Sequence, residues 1–494
     1  MIEDNLNSFD NNIEGDTLKE ECGVFGVFNN DNDQSGRMVY YGLFALQHRG
    51  QESCGIAVTE DTVVKQYKDM GLVPEVFSDD IVEKLTGTMA IGHVRYSTAG
   101  GSLRQNAQPL VSRYVKGTLA LAHNGNLVNA NEIRTNLQKD GIIFQTTIDS
   151  EVIACQLAKE RVKHKSIEAA LESTMNIIKG SYSLVLMSPK KLIGCRDPLG
   201  MRPLCLGKMD NSYILSSETC GLDGVGAEFI RDIEPGEIVI IDKNGVRSIK
   251  THCGKEKSRM CIFEYIYFAR PDSVIEGVSV YEARKEAGRQ LARQHHVEGD
   301  IVIGVPDSGI SAAIGYAEES GLPDTMGLIK NRYIGRTFIS PTQGQREVGV
   351  KIKLNALRQA VEGKKVIMVD DSIVRGTTVA RLVNTLKIAG AKEVHMRVSS
   401  PKFLWPCYYG TDVPTRDNLI ACKYDTVEEI ARVVGVDSLG FLGLENLHDI
   451  AKGAKCGFCD ACFTGSYPTE IPMNSDEGDK NEENIRKSAK FTLC

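Results

Sequence analysis

The chain of 494 residues is long enough for about two to four domains, and its 42% hydrophobic and 25% charged residues are typical of a globular protein. A net charge of −7 argues against a nucleic-acid-binding surface, which needs concentrated basic residues. The sequence contains neither a run of about 18 apolar residues that would span a membrane nor a secretory signal pattern. We therefore expect a cytoplasmic protein with reduced cysteines and with neither nucleic acid nor membrane as a partner.

The first half of the chain carries the pattern of an antiparallel sheet protein. Residues 1–21 are polar and acidic, and they predict no packed element. From Cys22 to about Arg247, short apolar runs such as GVFGVF, MAIGHV and YSLVLM predict strands with few helices between them. One helical stretch, DSEVIACQLAKERVK, lies at 149–163. The pattern predicts stacked antiparallel sheets with helices packed on them.

Cys22 opens the first predicted strand, directly after the polar leader. If the leader were removed, Cys22 would carry both a thiol and a free α-amine. The reference pKa of an α-amine is about 7.7–8.0 and that of a thiol is about 8.5, so the amine could serve as the base for the thiol. A buried structural cysteine is the commoner role in a strand, and Cys22 taken alone favours it.

Three motifs in this half resemble the glutamine site of the class II, N-terminal-nucleophile glutamine amidotransferases. They are GHVRYSTAG at 92–100, HNGNL at 123–127 and TIDSEV at 147–152. The stretch LQHRGQES at 46–53 also fits that family, and we interpret it as structural support for the site. An isolated arginine in a strand usually lies on an exposed face, and an isolated Asn-Gly pair usually forms a hairpin turn. The joint occurrence of these motifs with a cysteine behind a removable leader disfavours both explanations.

The resemblance implies a role for five residues besides the nucleophile Cys22. Arg95 would form a bidentate pair with the α-carboxylate of glutamine, and Thr98 would help to hold that end. Asp149 would pair with the α-ammonium group. The side chain of Asn124 and the N–H of Gly125 would donate hydrogen bonds to the oxyanion of a thioester intermediate.

After about Cys261 the pattern changes to strands that alternate with helices. The segments 300–321 and 364–392 each read as strand, tight loop and helix, and EVHMRVSS at 393–400 adds a strand. This alternation predicts a parallel sheet.

The segment VIMVDDSIVRGTT at 366–378 predicts a phosphate site at the carboxyl end of a buried strand. The loop offers backbone N–H groups, hydroxyls and Gly376, and a helix is predicted to begin near Thr378, so its positive end faces the loop. Asp370 and Asp371 suit Mg²⁺ or a ribose diol. A pair of capping aspartates in an ordinary turn is the alternative.

This segment resembles the phosphoribosyl pyrophosphate signature of the type I phosphoribosyltransferases. Residues 304–317 resemble the pyrophosphate-binding loop of that family, and residues 327–358 resemble its basic mobile lid. The resemblance implies that Mg²⁺ is held by Ser308, Asp370 and Asp371. The residues that it assigns to phosphoribosyl pyrophosphate are Lys330, Asp370, Asp371, Ser372, Arg375, Gly376, Thr377 and Thr378.

A third group of residues lies in KCGFCDACF at 455–463. The spacing CxxCxxC in a reduced compartment indicates a metal or an iron–sulfur cluster, and the spacing alone does not separate structural zinc from Fe–S.

The complete order of motifs, from Cys22 to about Glu470, resembles the amidophosphoribosyltransferase family. That resemblance implies an N-terminal-nucleophile αββα sandwich followed by a type I phosphoribosyltransferase parallel-sheet domain. It implies a propeptide at 1–21, a glutaminase domain at 22–255, a transferase domain at 256–450 and a cysteine-rich segment with an acidic tail at 451–494. Its implied cofactors are Mg²⁺ and one [4Fe–4S] cluster bound by Cys261, Cys407, Cys459 and Cys462, with Cys456 as an extra cysteine.

The implied substrates are glutamine and phosphoribosyl pyrophosphate, and the implied reaction makes phosphoribosylamine in purine synthesis. The family is usually homo-oligomeric, as a dimer or tetramer, and inhibited by purine nucleotides. Asparagine synthetases would need an SGGxDS loop, which this sequence lacks, and glucosamine-phosphate synthases would lack the DDS…RGTT segment. A regulator that senses phosphoribosyl pyrophosphate would need a basic DNA-binding module, whereas both ends of this chain are acidic or cysteine-rich.

Overall fold

The computed structural model describes residues 22–29, 31–60, 63–96, 101–331, 354–413 and 415–472. The predicted propeptide, Thr98, most of the predicted lid and the acidic tail after residue 472 lie outside the described residues.

Two antiparallel sheets form the first half. The strands are β1 (Gly23–Phe28), β2 (Ser53–Glu60), β3 (Val63–Met70), β4 (Met89–Arg95), β5 (Leu110–Tyr114), β6 (Gly117–Leu127), β7 (Gly180–Ser188), β8 (Lys191–Arg196), β9 (Cys205–Met209), β10 (Ser212–Ser216), β11 (Glu228–Asp232), β12 (Ile238–Asp242) and β13 (Gly245–Ile249). One sheet has the order β11-β9-β10-β1-β4-β2-β3, and the other has the order β13-β12-β8-β7-β6-β5.

The two sheets pack face to face with helices on both outer sides, which confirms the predicted sandwich. Val24 and Ile91 of the first sheet share a buried core with Ala122 and Val185 of the second. The helices and 3₁₀-helices of this half are Ser35–Ala45, Gln47–Arg49, Val73–Val76, Asp79–Lys84, Arg104–Asn106, Ala130–Lys139, Asp149–Lys163, Ile167–Met175 and Thr219–Asp223.

The prediction of helix 149–163 is confirmed, but the expectation of few helices in this half is wrong. Helix Ser35–Ala45 shows why, because it has no side-chain cap and no acidic residue in its first turn. Such a helix gives no start signal in the sequence, and packing of Gly42 against the Phe25 ring stabilises it instead.

A parallel sheet of order β17-β20-β21-β22 forms the centre of the second half, as predicted. The strands of this half are β14 (Met260–Cys261), β15 (Val274–Ile275), β16 (Val278–Ser279), β17 (Ile301–Gly304), β18 (Leu328–Lys330), β19 (Leu354–Ala356), β20 (Lys365–Asp370), β21 (Glu393–Val398), β22 (Ser438–Phe441) and β23 (Phe458–Cys459). Successive residues of β20 face opposite sides, so Ile367 and Val369 enter one buried core and Val366 and Met368 the other.

Helices cover both faces of this sheet, and both cores are therefore shielded from water. The helical segments are Glu264–Phe268, which is a π-helix, Val280–Gln294, Ile310–Ser320, Arg358–Val361, Thr377–Ile388, Arg416–Asn418, Ile420–Lys423, Val427–Val434, Leu444–Leu447, His448–Ala451 and Ala461–Thr464. Across the described ranges, no helix combines the length and apolar character needed to cross a bilayer.

Candidate functional site

Cys22 and Arg95 lie at the same end of the first sheet. β1 and β4 are antiparallel, with Gly23 opposite Val94, so the next positions outward are Cys22 and Arg95. The Cys22 thiol is buried and donates to the carbonyl oxygen of Tyr96 at 3.5 Å. Arg95 forms a buried ion pair with Glu52. Glu52 belongs to the LQHRGQES stretch, so that stretch contacts a predicted site residue.

Asn124 and Gly125 come from the second sheet, and a buried histidine joins the sheets beside them. His93 Nε2 lies 2.9 Å from the carbonyl oxygen of His123. Burial lowers the pKa of His93 to about 3, so the ring is neutral and its Nε2–H donates to that carbonyl. The bond fixes the peptide that precedes Asn124 and joins the HNGNL motif of β6 to β4.

The Asn124 side chain is 1% exposed, and neither of its amide atoms has a hydrogen-bond partner among the described residues. Buried polar groups are nearly always paired, so an unpaired buried amide indicates a position for a ligand atom. Gly125 has a φ of +144°, and a Cβ there would lie 2.2 Å from the carbonyl oxygen of Ser181. Only glycine fits this position, because the chain runs close against the backbone of Ser181 and Tyr182.

Asp149 is the first residue of helix Asp149–Lys163 and lies under the same motif. Its Oδ2 accepts a hydrogen bond from the Leu127 N–H at 2.9 Å. Burial alone would raise its pKa, but His123, whose Nδ1 lies 3.6 Å from Asp149 Oδ1, together with hydrogen bonds, holds the pKa below its ordinary value. Asp149 is therefore an anion, as binding of an ammonium group requires.

A buried ion network that the sequence analysis did not identify links this site to the second half. The Arg49 guanidinium donates to the carbonyl oxygen of Cys22 at 2.9 Å, to Glu218 at 2.6 Å and to both oxygens of Glu264 at 2.9 Å. Glu264 belongs to the π-helix of the second half. The HRG of LQHRGQES was the only signal of this network in the sequence. Local patterns could not identify the partners of Arg49, because Glu218 and Glu264 are about 170 and 215 residues away.

Within the described residues, one group has ligand atoms close enough together for one metal ion. It consists of His48, Glu218 and Cys220. Glu218 Oε1 accepts from Arg49 and lies 2.8 Å from His48 Nε2, and its Oε2 accepts from Ser273 at 2.6 Å. Burial alone would raise its pKa, but His48 and Arg49 hold the pKa of Glu218 well below its ordinary value. The carboxylate is already satisfied, so we interpret the group as structural.

The predicted cation site lies at the carboxyl end of the parallel sheet. Asp370 ends β20, and both Asp370 and Asp371 are buried. Ser308 Oγ donates to Asp370 Oδ1 at 3.2 Å, so the three predicted Mg²⁺ ligands come together. Burial and the neighbouring Asp371 carboxylate raise the pKa of Asp370 well above its ordinary value. A divalent cation would relieve this repulsion, and oxygen donors of this kind suit Mg²⁺.

The loop after Asp371 leads into helix Thr377–Ile388, one residue earlier than predicted. Gly376 precedes the helix with a φ of +88°, which favours glycine. The loop is accessible to a ligand, because four of its predicted phosphate-site residues are partly exposed. These are Ser372, Arg375, Thr377 and Thr378. Lys330, at the end of β18, pairs with Asp307 of the predicted pyrophosphate loop at 2.8 Å. The described phosphate-site residues are thus assembled around one sheet edge.

Four cysteines converge on one cavity between the two halves. Cys261, Cys407, Cys459 and Cys462 line it, together with Met201 and Tyr409 among others, and Cys456 is not part of its lining. Cys261 and Cys459 lie opposite each other in the parallel pair β14–β23. Burial raises the pKa of Cys459 to about 12 and that of Cys462 well above its ordinary value.

Four cysteine thiols around one cavity are a ligand set that structural zinc sites and iron–sulfur clusters share. The residues present therefore fit a metal group of this kind.

The comparisons with known proteins agree with this geometry. A glutamine amidotransferase domain model matches residues 93–223, and a phosphoribosyl transferase domain model matches residues 278–402. An amidophosphoribosyltransferase of Archaeoglobus fulgidus is 51% identical over 453 residues, which cover 91% of this chain and 98% of the relative.

Two solved structures are similar over most of the chain. Glutamine phosphoribosylpyrophosphate amidotransferase from Bacillus subtilis, complexed with ADP and GMP, is 47% identical with a TM-score of 0.85, covering 92% of this chain and 99% of that one. A structure described as the allosteric regulatory enzyme of purine biosynthesis is 48% identical with a TM-score of 0.86, covering 92% and 97% of the two chains.

Proposed function

Because the chain belongs to the amidophosphoribosyltransferase family, we propose how its residues divide the reaction of that family between the two halves. The enzyme hydrolyses glutamine and transfers the ammonia to C1 of phosphoribosyl pyrophosphate, the first committed step of purine synthesis. The products are phosphoribosylamine, pyrophosphate and glutamate. The observation that carries the division is the unpaired, buried Asn124 amide beside Cys22's end of the sheet, together with the Ser308–Asp370–Asp371 group in the other half.

In the glutaminase half, Cys22 attacks the side-chain amide of glutamine with its own α-amine as the base, once residues 1–21 have been removed. The charge that develops on the amide oxygen is stabilised by Asn124 Nδ2 and the Gly125 N–H. Asp149, held as an anion, pairs with the α-ammonium group. Arg95 and Thr98 bind the α-carboxylate, which would replace Glu52 as the partner of Arg95.

In the transferase half, Asp370, Asp371 and Ser308 would hold Mg²⁺, which supplies charge neutralisation for the departing pyrophosphate. The two aspartates orient the ribose hydroxyls. Ser372, Arg375, Gly376, Thr377 and Thr378 surround the 5′-phosphate at the positive end of helix Thr377–Ile388. Lys330 releases its present partner Asp307 and binds the pyrophosphate instead.

Gly376→Ala is expected to weaken binding of the 5′-phosphate as well as stability. Alanine at a φ of +88° costs about 1–2 kcal/mol, and its Cβ would lie 2.4 Å from Ile420 Cδ1. Gly321→Ala is the control, because Gly321 has a φ of +72° with no atom within 4 Å of the added Cβ. Both variants should lower the thermal unfolding midpoint, and only Gly376→Ala should raise the KM for phosphoribosyl pyrophosphate. Equal KM values in the two variants would contradict the assigned role of the loop.

We assign the four converging cysteines to one [4Fe–4S] cluster. The cavity joins β14, the 407–411 segment and the C-terminal residues, and Met201 extends it to the glutaminase half. A group that ties such distant segments stabilises the fold, because metal binding is linked to folding.

Cys459→Ser should lose the cluster colour and the soluble yield together, since Cys459 lines the cavity and lies opposite Cys261 in the strand pair β14–β23. Cys456→Ser is the matched control and should keep both, because Cys456 does not line the cavity. Iron and sulfide analysis with the visible absorption spectrum measures the difference. Zinc without iron in the wild-type protein would exclude the cluster assignment, although not the enzyme activity.

The other finer assignments follow from family membership. We propose a cytoplasmic homo-oligomer, a dimer or tetramer, that purine nucleotides inhibit; a relative was solved with ADP and GMP, which supports the nucleotide part. We also propose the domain limits 22–255, 256–450 and 451–494.

The reaction is tested by nuclear magnetic resonance with glutamine labelled with ¹⁵N at the amide and phosphoribosyl pyrophosphate labelled with ¹³C at C1. We expect a C1 signal with one-bond coupling to ¹⁵N that needs both substrates and Mg²⁺. Labelled ammonium accompanied only by unaminated ribose phosphate would contradict the proposed function.

A further inference from the structure

The segment that carries Cys407 runs directly against the glutaminase motif HNGNL. Asn126 Nδ2 donates a hydrogen bond to the carbonyl oxygen of Tyr408 at 2.9 Å. Ser181 Oγ donates to the carbonyl oxygen of Tyr409 at 2.7 Å, and Arg202 Nη2 donates to the same oxygen at 2.6 Å. Three donors from the glutaminase half therefore hold two successive peptides of this segment.

The same two peptides are adjacent to a thiol of the proposed cluster. The Tyr409 N–H donates to Cys407 Sγ at 3.4 Å. The Tyr409 side chain is 3% exposed and packs with Leu199 and Met201, and Cys459 packs against this group. A change in the position of Cys407 would thus move the carbonyl oxygens that Asn126 and Ser181 contact.

Ser181 also contacts the segment that carries the proposed oxyanion donors Asn124 and Gly125. Asn126 follows Gly125, and its N–H donates to Ser181 Oγ at 3.0 Å. Gly125 lies on the backbone of Ser181, where an added Cβ would be 2.2 Å from the carbonyl oxygen. A Cβ on Gly410 would lie 3.6 Å from the Gly125 carbonyl carbon, so the two backbones are nearly in contact. We call Cys261, Cys407, Cys459 and Cys462 the cysteine centre. Few atoms therefore separate this cysteine centre from the proposed oxyanion donors Asn124 and Gly125.

We propose that Asn126 and Ser181 are positioning residues that fix Asn124 and Gly125 against the Cys407–Gly410 segment, so that the cysteine centre aligns the oxyanion site of the glutaminase. This inference rests on the proposed function of that site. We assign Asn126 and Ser181 no contact with glutamine. Their effect reaches the reaction through the alignment of the Gly125 N–H and the Asn124 amide.

Misalignment of oxyanion donors has a distinctive kinetic result. The donors stabilise charge that exists only in the transition state, so their displacement lowers kcat and leaves the KM for glutamine nearly unchanged. Glutamine itself is held by other residues, and the transferase site lies in the other half. Ammonia-dependent synthesis should therefore stay near the wild-type rate.

Asn126→Asp tests the inference with an isosteric change that replaces the donor to Tyr408 by a carboxylate oxygen, and Ser181→Ala removes the second donor independently. In iron-loaded protein, we expect about a tenfold or larger loss of glutamine kcat, with KM, ammonia-dependent synthesis and iron content within about twofold of wild type. Hydrogen exchange of segment 123–128 should be faster in both variants.

Asn129→Asp is the matched control. Asn129 Nδ2 donates to the Ile177 carbonyl oxygen at 2.9 Å, the same kind of contact three residues further along the chain. Among the described residues, Asn129 has no hydrogen bond to the Cys407–Gly410 segment. It should retain wild-type kcat. Wild-type kcat and exchange in both test variants would overturn the inference, as would loss of iron with equal loss of both activities. Failure of the proposed function is distinguishable, because the wild-type protein itself would then lack glutaminase activity.

Discussion

Cys22→Ala is expected to abolish glutamine-dependent synthesis and to leave ammonia-dependent synthesis intact. The thiol is the only proposed nucleophile for glutamine, whereas the cation and phosphate sites lie at the edge of the other sheet. The ammonia-dependent rate should rise with pH, because more of the nitrogen is then the unprotonated nucleophile. Side-by-side assays with the two nitrogen sources measure the effect.

Cys54→Ala is the control, because Cys54 is a fully buried cysteine of the same sheet, in β2 opposite Val94. It should keep both activities if the protein folds. Mass spectrometry of the wild-type N-terminus completes the test, because the mechanism needs a free α-amine on Cys22. A fully glutamine-active protein that still begins at Met1 would refute the N-terminal-nucleophile mechanism. Loss of both activities in folded Cys22→Ala would show that the halves are not separable.

Asp371→Asn should lower kcat/KM for phosphoribosyl pyrophosphate by about 10² or more with either nitrogen source. The amide keeps the shape of the carboxylate but loses the charge that holds the cation and the ribose hydroxyls. Because the substitution is isosteric, we expect the thermal unfolding midpoint to change little. Steady-state kinetics over a range of Mg²⁺ concentrations measures the loss.

Asp300→Asn is the matched control for this site. Asp300 lies at the opposite, amino end of the same parallel sheet, where its Oδ2 accepts a hydrogen bond from the Lys365 N–H at 2.8 Å. Its loss should affect stability only. Near-normal turnover by Asp371→Asn, or an equal loss in Asp300→Asn, would exclude the assigned phosphoribosyl pyrophosphate site.

The sequence was sufficient to predict the features that depend on neighbouring residues. The parallel sheet and the DDS…RGTT loop follow from local alternation and turn chemistry, and the structure confirms the sheet, with the helix beginning at Thr377. The convergence of Cys261, Cys407, Cys459 and Cys462 came from family resemblance, and no spacing could supply it, because β14 and β23 pair across about 200 residues.

What the sequence did not predict depends on distant partners. Arg49 reads as an ordinary residue of a polar stretch, yet it is fully buried between Glu218 and Glu264. The pairing of Arg95 with Glu52 was likewise not predicted, because a buried ion pair has no periodic signature. The contact of Asn126 with Tyr408 links residues 282 positions apart, and only the folded chain brings them together.

The central claim is that one chain couples glutamine hydrolysis to displacement of pyrophosphate. The most direct test measures pyrophosphate release from phosphoribosyl pyrophosphate by anaerobically purified protein with Mg²⁺, with and without glutamine. We predict release that depends on glutamine and matches glutamate formation mole for mole. Glutamate formation without pyrophosphate release, or pyrophosphate release that neither glutamine nor ammonia increases, would contradict the account.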